Sequence, residues 1–524
     1  MPTDPIVSEI CALREQRAVR FGIDIQSIVE DTRLRDVHGD RLETRLHSIG
    51  RRQFLSAGVL AAAGTGLPAA SSAGEPAGPD KQTVHEPVRE IPVVESSDVV
   101  VCGAGPAGIA AAIAAARAGA SVRLLENHGQ LGGIWTTGLL SWIIDAGNKR
   151  GVMSTVVDRL NQRSEVLGAD RWNRKGSMPY DVEQMKLVLE QMCLEAGVRI
   201  RLHARVVSAV KDSRRLTHGI TESKSGREAF AGRVFIDCTG DGDLAAQAGC
   251  GFEMGRPAEG ESAQGSARAG ETQPFSLMML VTGIDPRATA DFYEREGRPW
   301  GAPKDALLAE FRRAGVEPSY GRPTIFRIHD DLYAWMINHE YGYSGIQSQQ
   351  LTDATLRARA ELHQLVDALR SLGDPWKKLR IVATAAQIGV REARRIHGRH
   401  LVTLEEMLQG IRHTDAVCRV TFGIDVHSTS AKHSTGIENK PVKQATRPYD
   451  IPLRALIARD VDGLLMAGRC ISGDFLAHSS YRVSGNAAAM GEAAGAAAAL
   501  AARERCLPHE VTWEKIAALL PPVG

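Results

Sequence analysis

The chain has 524 residues, 43% of them hydrophobic, which is enough for a large core and for two or three domains. Lys and Arg total 63 against 62 Asp and Glu, a formal net charge of +1, so no global field favours nucleic acid or an anionic membrane. Eight scattered cysteines, with no C-x-x-C pair and no His at metal-ligand spacing, argue for reduced thiols and against a metal centre.

In chain order, residues 1–47 form a charged extension with no recognisable chemistry. Residues 48–95 combine a signal-type segment with a Pro-rich polar linker. "GRRQFLSAGVLAAAGTG", Gly50 to Gly66, places Arg51-Arg52 before Phe54-Leu55 and a mild apolar run, and resembles a twin-arginine export signal. The stretch from Phe54 to Ala73 is rich in Ala and Gly and carries Pro68, a poor composition for a stable membrane span. Export to the periplasm is the expectation; a plain linker in a cytoplasmic protein is the alternative, and the almost fifty residues preceding the arginines are the objection.

At Asp98 the texture changes. "DVVVC" suits a buried parallel strand, "GAGPAG" follows at once, then an Ala-rich helix and the strand "SVRLLE". In Gly103-Ala104-Gly105-Pro106-Ala107-Gly108, Gly103 permits the tight turn, Gly105 admits a pyrophosphate against the backbone, and Gly108 lets the helix pack closely on the sheet. The helix start at Pro106 and Ala107 then faces the phosphates with free N–H groups. Glu126 closes the second strand, where a carboxylate can accept ribose hydroxyls. This unit predicts dinucleotide binding.

Further along, the pattern predicts a helix over Val182 to Ala196, a strand from Val198 to Val207, and a buried strand running into "IDCTGDGD", Ile236 to Asp243. A mixed, Gly-rich region follows, with a long amphipathic helix around Thr352 to Leu372. The alternating pattern returns in "GLLMAGRCISGD" and "SSYRVSGNAAAMGEAAGAAAAL". A helix beginning near Gly485-Asn486 and continuing through Ala487 would aim its free N–H groups at the edge of a bound dinucleotide cofactor.

Gly132-Gly133 in "NHGQLGGIWTTG", Thr239-Gly240-Asp241, and the C-terminal strand and helix together resemble the two-dinucleotide-binding-domain flavoproteins related to the fumarate reductase group, from about Ser96 to Arg505. The resemblance implies FAD, bound non-covalently, since His128 stands too close to Gly132 to be the attachment histidine. It implies an α/β fold: a Rossmann-like FAD-binding domain with a parallel sheet (96–255 and 451–524), interrupted by an inserted mixed α+β substrate domain (256–450). The implied cofactor contacts include Val207 and Gly468. Arg469 stands where many relatives carry Asp, so Asp474 is an alternative partner for the ribityl chain, and Arg469 for the isoalloxazine or phosphates.

For the reaction, "GIDVHSTSAKHS" offers Asp425, His427, Lys432 and His433. On an extended segment Asp425 and His427 share a face, so the carboxylate could orient the imidazole as a base. "FLAHSSYRVSG" adds His478, Tyr481 and Arg482, the last suited to a substrate carboxylate. His427, Arg482 and His478 are the catalytic candidates; His339 and Glu340 remain possible. Arg391, Arg394 and Arg395 either line the site or form a solvated helical charge cluster. No second G-x-G-x-x-G follows a strand, which leaves the electron acceptor open. The expected function is hydride transfer between a small polar substrate, sugar-derived or a hydroxy acid, and FAD. Reduction of an activated C=C bond and a non-catalytic flavin-binding role are the alternatives.

Overall fold

The computed structural model describes residues 83–167, 177–257, 270–293, 299, 301–432, 435–438 and 445–523. The chain divides into two units, Met1–Glu86 and Pro87–Gly524. Of the first, only the exposed residues 83–86 are described. Arg51, Arg52 and His433 lie outside the described residues.

The second unit opens with β1 (Val93–Cys102), whose last four residues are all fully buried, as a strand flanked on both faces must be. Helix α1 (Pro106–Arg117) starts immediately after Gly105, with Pro106 at the position where a missing N–H costs nothing. Strand β2 (Val122–Leu125) returns parallel to β1. Helices α2 (Val152–Leu167) and α3 (Val182–Glu195) follow; Asp181 caps α3 by accepting the Gln184 N–H at 2.9 Å.

Next come β3 (Arg199–Arg201), β4 (Arg205–Asp212), β5 (Arg215–Ser223) and β6 (Gly226–Asp237). The single strand expected over Val198 to Val207 is therefore two. His203 breaks it at φ +56°, and His203 and Ala204 donate to the carbonyls of His128 and Glu126, turning the chain out of the parallel sheet.

An antiparallel sheet in the order β8-β9-β7-β10 is built from β7 (Met279–Thr282), β8 (Thr324–His329), β9 (Leu332–Met336) and β10 (Arg380–Thr384). The long helix α4 (Ser348–Ser371) spans the expected segment and buries Ala354, Ala358, Leu362, Leu365, Val366 and Leu369, one stripe at helical spacing. Helix α5 (Leu404–Gln409) and the pair β11 (Ala416–Val420) and β12 (Tyr449–Pro452) lead to β13 (Leu464–Met466), then α6 (Phe475–Tyr481) and α7 (Ser484–Glu504).

The main sheet has seven strands. Five are parallel, in the order β3-β2-β1-β6-β13; β5 and β4 extend it as an antiparallel meander. Strand β6 serves both parts, pairing its first half with β5 (His218 opposite Ala231) and its last residues with β13 (Leu464 opposite Phe235). Residues from both ends of the unit thus complete one sheet. The same closure recurs in the helix layer, where Gly491 and Gly495 of α7 lie so close to α1 that a Cβ at either would collide with the Ala107 or Ala111 carbonyl. Among the described residues no helix is long and apolar enough to cross a membrane.

Candidate active site

A cavity of about 1480 Å³ runs from the glycine turn between β1 and α1 to a polar group beside α6. At the first end the wall is mostly backbone. Gly103 sits at φ +94°, where an L side chain is strained, and its place against Cys238 leaves no room for a Cβ. Gly105 is the opposite case: nothing stands within 4 Å of where its Cβ would be, so the gap lies against bare backbone. Glu126 accepts the Ala104 N–H at 2.7 Å and the His128 N–H at 2.8 Å, so its carboxylate braces the turn while still facing the cavity. Asp237 plays the matching part at the end of β6. Burial raises its carboxyl to about 6, although it accepts the N–H groups of Thr239 and Ala245.

Of the residues the sequence assigns to the cofactor, the cavity wall includes Gly103, Gly105, Pro106, Ala107, Glu126, Gly133, Val207, Thr239, Gly240, Asp241, Gly468, Arg469 and Ala487. Five others lie outside the wall. A Cβ on Gly108 would collide with the Gly103 carbonyl, and Gly132, at φ +109°, donates to the Ala104 carbonyl at 2.8 Å. Asp474 is the N-cap of α6, accepting the Ala477 N–H at 2.7 Å and the Leu404 N–H at 2.6 Å. It is not in the wall; Arg469 is, paired with Asp241 at 2.8 Å. Helix α7 begins at Ser484, one residue before the expected start. The Gly485 N–H is spent on the Ile144 carbonyl at 2.9 Å, and Asn486 is fully buried, receiving the Cys418 thiol at 3.4 Å.

The far end is built from side chains on five separate segments. His427 lies between β11 and β12, and its Nε2 is 3.4 Å from Asp425, the pairing that the extended spacing predicts. Its Nδ1 is 3.0 Å from Nε2 of His339, which follows β9, and its backbone N–H donates to Gln273 at 3.0 Å. Both ring nitrogens are therefore engaged. Asp425 is the more open of the pair, its side chain 25% exposed against 5% for His427. His478 is fully buried and outside the wall, its ring edge-on to Tyr481.

Two guanidinium groups face this pair. Arg482, just past α6, donates to the Asp425 carbonyl at 2.9 Å and to Gln273 at 3.2 Å, and lies 3.8 Å from the Asp425 carboxylate; its buried Nε has no partner among the described residues. Arg391 donates to the Pro274 carbonyl at 2.6 Å and to Ser276 at 3.0 Å, and has no ion pair among the described residues. Segment 389–394 is not a helix, so the solvated helical cluster does not form: Arg391 and Arg394 reach the cavity, and Arg395 is buried against Glu392. Burial and the neighbouring Arg482 lower Arg391 to about 10. Despite its own burial, Asp425 is held below the usual carboxylate range by His427 and the two arginines. His427 is lowered to about 4, mainly by burial and then by Arg391.

The family model for FAD dependent oxidoreductase matches residues 98–520, the span that builds both ends of this cavity. The chain belongs to that family. No curated protein matches it. Among solved structures it is similar to a geranylgeranyl bacteriochlorophyll reductase-like protein from Thermoplasma acidophilum (11% identity, 81% of this chain and 82% of that one, TM-score 0.39). It is also similar to the flavin-dependent brominase Bmp2 (11%, 81% and 82%, 0.41) and to the myxobacterial chondrochloren halogenase CndH (12%, 81% and 78%, 0.39). At such scores none of these bears on the chemistry here.

For an FAD-dependent oxidoreductase the cavity fits its cofactor. The open space at Gly105 and the start of α1 could hold a pyrophosphate, and Gly133, Gly240, Glu126 and Val207 line the same cavity. The volume exceeds the roughly 300–1,000 Å³ of a pocket for one drug-sized ligand, as a dinucleotide plus a substrate requires. All seven described cysteines are free, six of them buried. Away from the cavity, the fold brings His400, Glu406 and His413 together, with one nitrogen or oxygen of each within 4.8 Å of the others. Glu406 there is the capping-box residue of α5, accepting the Thr403 N–H through one oxygen and approached by both imidazoles at the other, which accounts for the trio as a loop clamp.

Proposed function

We propose that this FAD-dependent oxidoreductase moves a hydride between its flavin and a small polar substrate that carries a carboxylate, a hydroxy acid in the oxidative direction. One observation carries the reading: Arg391 and Arg482 line the cavity together with Asp425, whose carboxylate lies 3.8 Å from Arg482 and is held low by both arginines as well as by His427. Bound FAD supplies the two-electron partner for the hydride. Arg391, with no ion pair among the described residues, and Arg482 both line the cavity and hold the substrate carboxylate. Asp425 exchanges the substrate's proton.

His427, and after it Arg482 and Arg391, hold the proton affinity of Asp425 low. An anion bound to both guanidiniums offsets their share of that depression and raises the affinity of Asp425 for a proton. Reduction of an activated C=C bond in an unsaturated acid, the fumarate-reductase-like alternative, uses the same groups with Asp425 as donor. In either direction the region 256–450 contributes Arg391 and Asp425, and the C-terminal part contributes Arg482. Export through Arg51-Arg52 belongs to the proposal as well; unchanged export after replacing both with lysine would defeat it.

The test is spectroscopic. Purified protein is expected to carry FAD absorbance and to bleach anaerobically with small 2-hydroxy acids. Bleaching by neutral sugars or polyols and not by hydroxy acids sinks the carboxylate reading. Reoxidation of dithionite-reduced protein by unsaturated acids selects the reductive direction.

A further inference from the structure

Beside the cavity, Asp425 and His427 do not end a network; they begin one. His427 Nδ1 meets His339 Nε2 at 3.0 Å, and His339 Nδ1 meets the Tyr341 hydroxyl at 3.0 Å. The two imidazoles are almost completely buried, while Tyr341 is partly exposed. Each ring is fixed from outside. The His339 N–H donates to Ser319 Oγ at 2.7 Å, and Ser319 is gripped in turn by both oxygens of Glu361 from α4; the Tyr320 ring lies 4.1 Å from the His339 ring and 5.6 Å from the His427 ring, centroid to centroid.

The proton positions follow from the ends. An ionised Asp425 only accepts, so His427 carries its proton on Nε2 and its Nδ1 is a lone pair. That lone pair requires a proton on His339 Nε2, which leaves His339 Nδ1 to accept from the Tyr341 hydroxyl. Burial lowers the proton affinity of both rings, His339 also by Arg391 and His427, so each stays neutral with one proton. All three links then point the same way, from Tyr341 toward the cavity.

We propose that Tyr341, His339, His427 and Asp425 form a proton relay between the cavity and the outer face of the protein, with the two histidines passing protons rather than touching substrate. It rests on the reading that substrate reacts beside Asp425. In one inward pass the Tyr341 O–H bond breaks as a bond forms at His339 Nδ1, the His339 Nε2 proton moves to His427 Nδ1, and the His427 Nε2 proton moves to Asp425. Solvent then restores the tyrosine. One proton enters, one is delivered and no electrons change hands. Oxidation of a substrate leaves its proton on Asp425, and that proton travels outward once both rings have turned to the Nδ1-protonated form. The outer end is equipped for exchange: Glu340, next to Tyr341, is raised to about 7 by burial and by Glu361, and Arg357 approaches it at 3.4 Å from the surface of α4.

The experiment uses FAD-loaded full-length protein labelled with nitrogen-15 at histidine, and Tyr341→Phe and His339→Gln variants. At neutral pH the expected spectrum has His339 and His427 each protonated on Nε2 only, with Tyr341→Phe shifting the Nδ1 resonance of His339. An Nδ1-protonated form of either ring in the substrate-free wild type overturns the relay, whatever the substrate proves to be. With 2-hydroxy acids and a dye acceptor, His339→Gln is expected to lower kcat by at least about tenfold with KM within about twofold. The solvent isotope effect should rise, and added imidazole should restore part of the rate. A folded, flavin-loaded His339→Gln protein with unchanged kcat and isotope effect also overturns it, and Tyr341→Phe supplies the same comparison if the histidine variant does not fold. If no hydroxy acid is turned over, the substrate reading fails while the tautomer result decides the relay by itself.

Discussion

The two ends of the cavity are made of different material. At the glycine turn the wall is backbone, held by Gly103, Gly108, Gly133 and the α1–α7 contact, with carboxylates Glu126 and Asp237 bracing amide groups. At the far end Asp425, His427, His339, Arg391, Arg482 and Gln273 converge as side chains from loops far apart in sequence. Backbone is shaped locally by which residues permit it, whereas side-chain convergence is a property of the whole fold. The first end should therefore tolerate almost no added volume, and the second should respond to changes of charge at constant volume.

The largest expected effect comes from Gly491→Val. Its side chain would enter the space of the Ala107 carbonyl, where backbone on both helices must move. Overpacking of a core costs about 1–3 kcal/mol and more where backbone is displaced, so soluble protein should be scarce and lack flavin absorbance; a flavin-loaded, normally stable variant would break the backbone end of the comparison. Next is Arg391→Met, close in length and without charge. A charged hydrogen bond to substrate is worth about 1.5–3 kcal/mol, so kcat/KM for a hydroxy acid should fall roughly 10- to 150-fold with flavin content unchanged. Equal loss for a neutral substrate of the same size would show that Arg391 shapes the site and does not bind a carboxylate.

This contrast also decides what sequence could reveal. Gly103, Gly105 and Glu126 are legible because strand, turn, helix and acid are adjacent along thirty residues, and each type has one local use there. Asp425 and His427 are legible as a pair because two residues on an extended segment share a face. Arg391 is not: in "VREARR" the charge pattern suits an exposed helix, and only the absence of that helix sends Arg391 to the cavity and Arg395 into the core. Gln273 carries no signal, since its partner His427 lies 154 residues away; Tyr341 stands two residues from His339, but His339 meets His427 only across 88 residues. Asp474 is instructive in the other direction. An acid just before "FLAH" fits an N-cap as well as a ribityl partner, and local helix capping claims it.

A smaller effect separates the polar end by pH. His427 titrates near 4 in the fold against an ordinary value near 6.5, so between these values the unfolded chain binds more protons and stability rises with pH; it is lost as pH falls from about 6.5 toward 4. Buried Asp237 and Glu340, raised to about 6 and about 7, act with the opposite sign over the same range, and Asp425, Arg391, Arg482 and His339 surround the ring. The informative quantity is therefore the difference between wild type and His427→Gln. Denaturant unfolding at pH 7 and pH 5 should show the variant losing less stability than wild type on acidification, by on the order of 1 kcal/mol per pH unit at most. Equal losses would mean that His427 is as easily protonated in the fold as out of it.

The smallest effect tests which end Asp474 belongs to. Its carboxylate accepts the Ala477 N–H inside α6 and the Leu404 N–H at the start of α5, tying two helix starts together at a point outside the cavity wall. Removing an N-cap costs about 0.5–2 kcal/mol, and Asn keeps an acceptor oxygen that Ala lacks. Asp474→Ala should therefore lower stability by about 1–2 kcal/mol and Asp474→Asn by less, both with wild-type affinity for FAD measured by flavin release on dilution. A ribityl partner would give the other ordering: weakened flavin in both variants, with stability of the flavin-free protein unchanged. Because α6 ends at Arg482, a loosened cap also has a route to the polar end. A rise in KM for a hydroxy acid without loss of flavin would show that the two ends of the cavity are joined through this short helix.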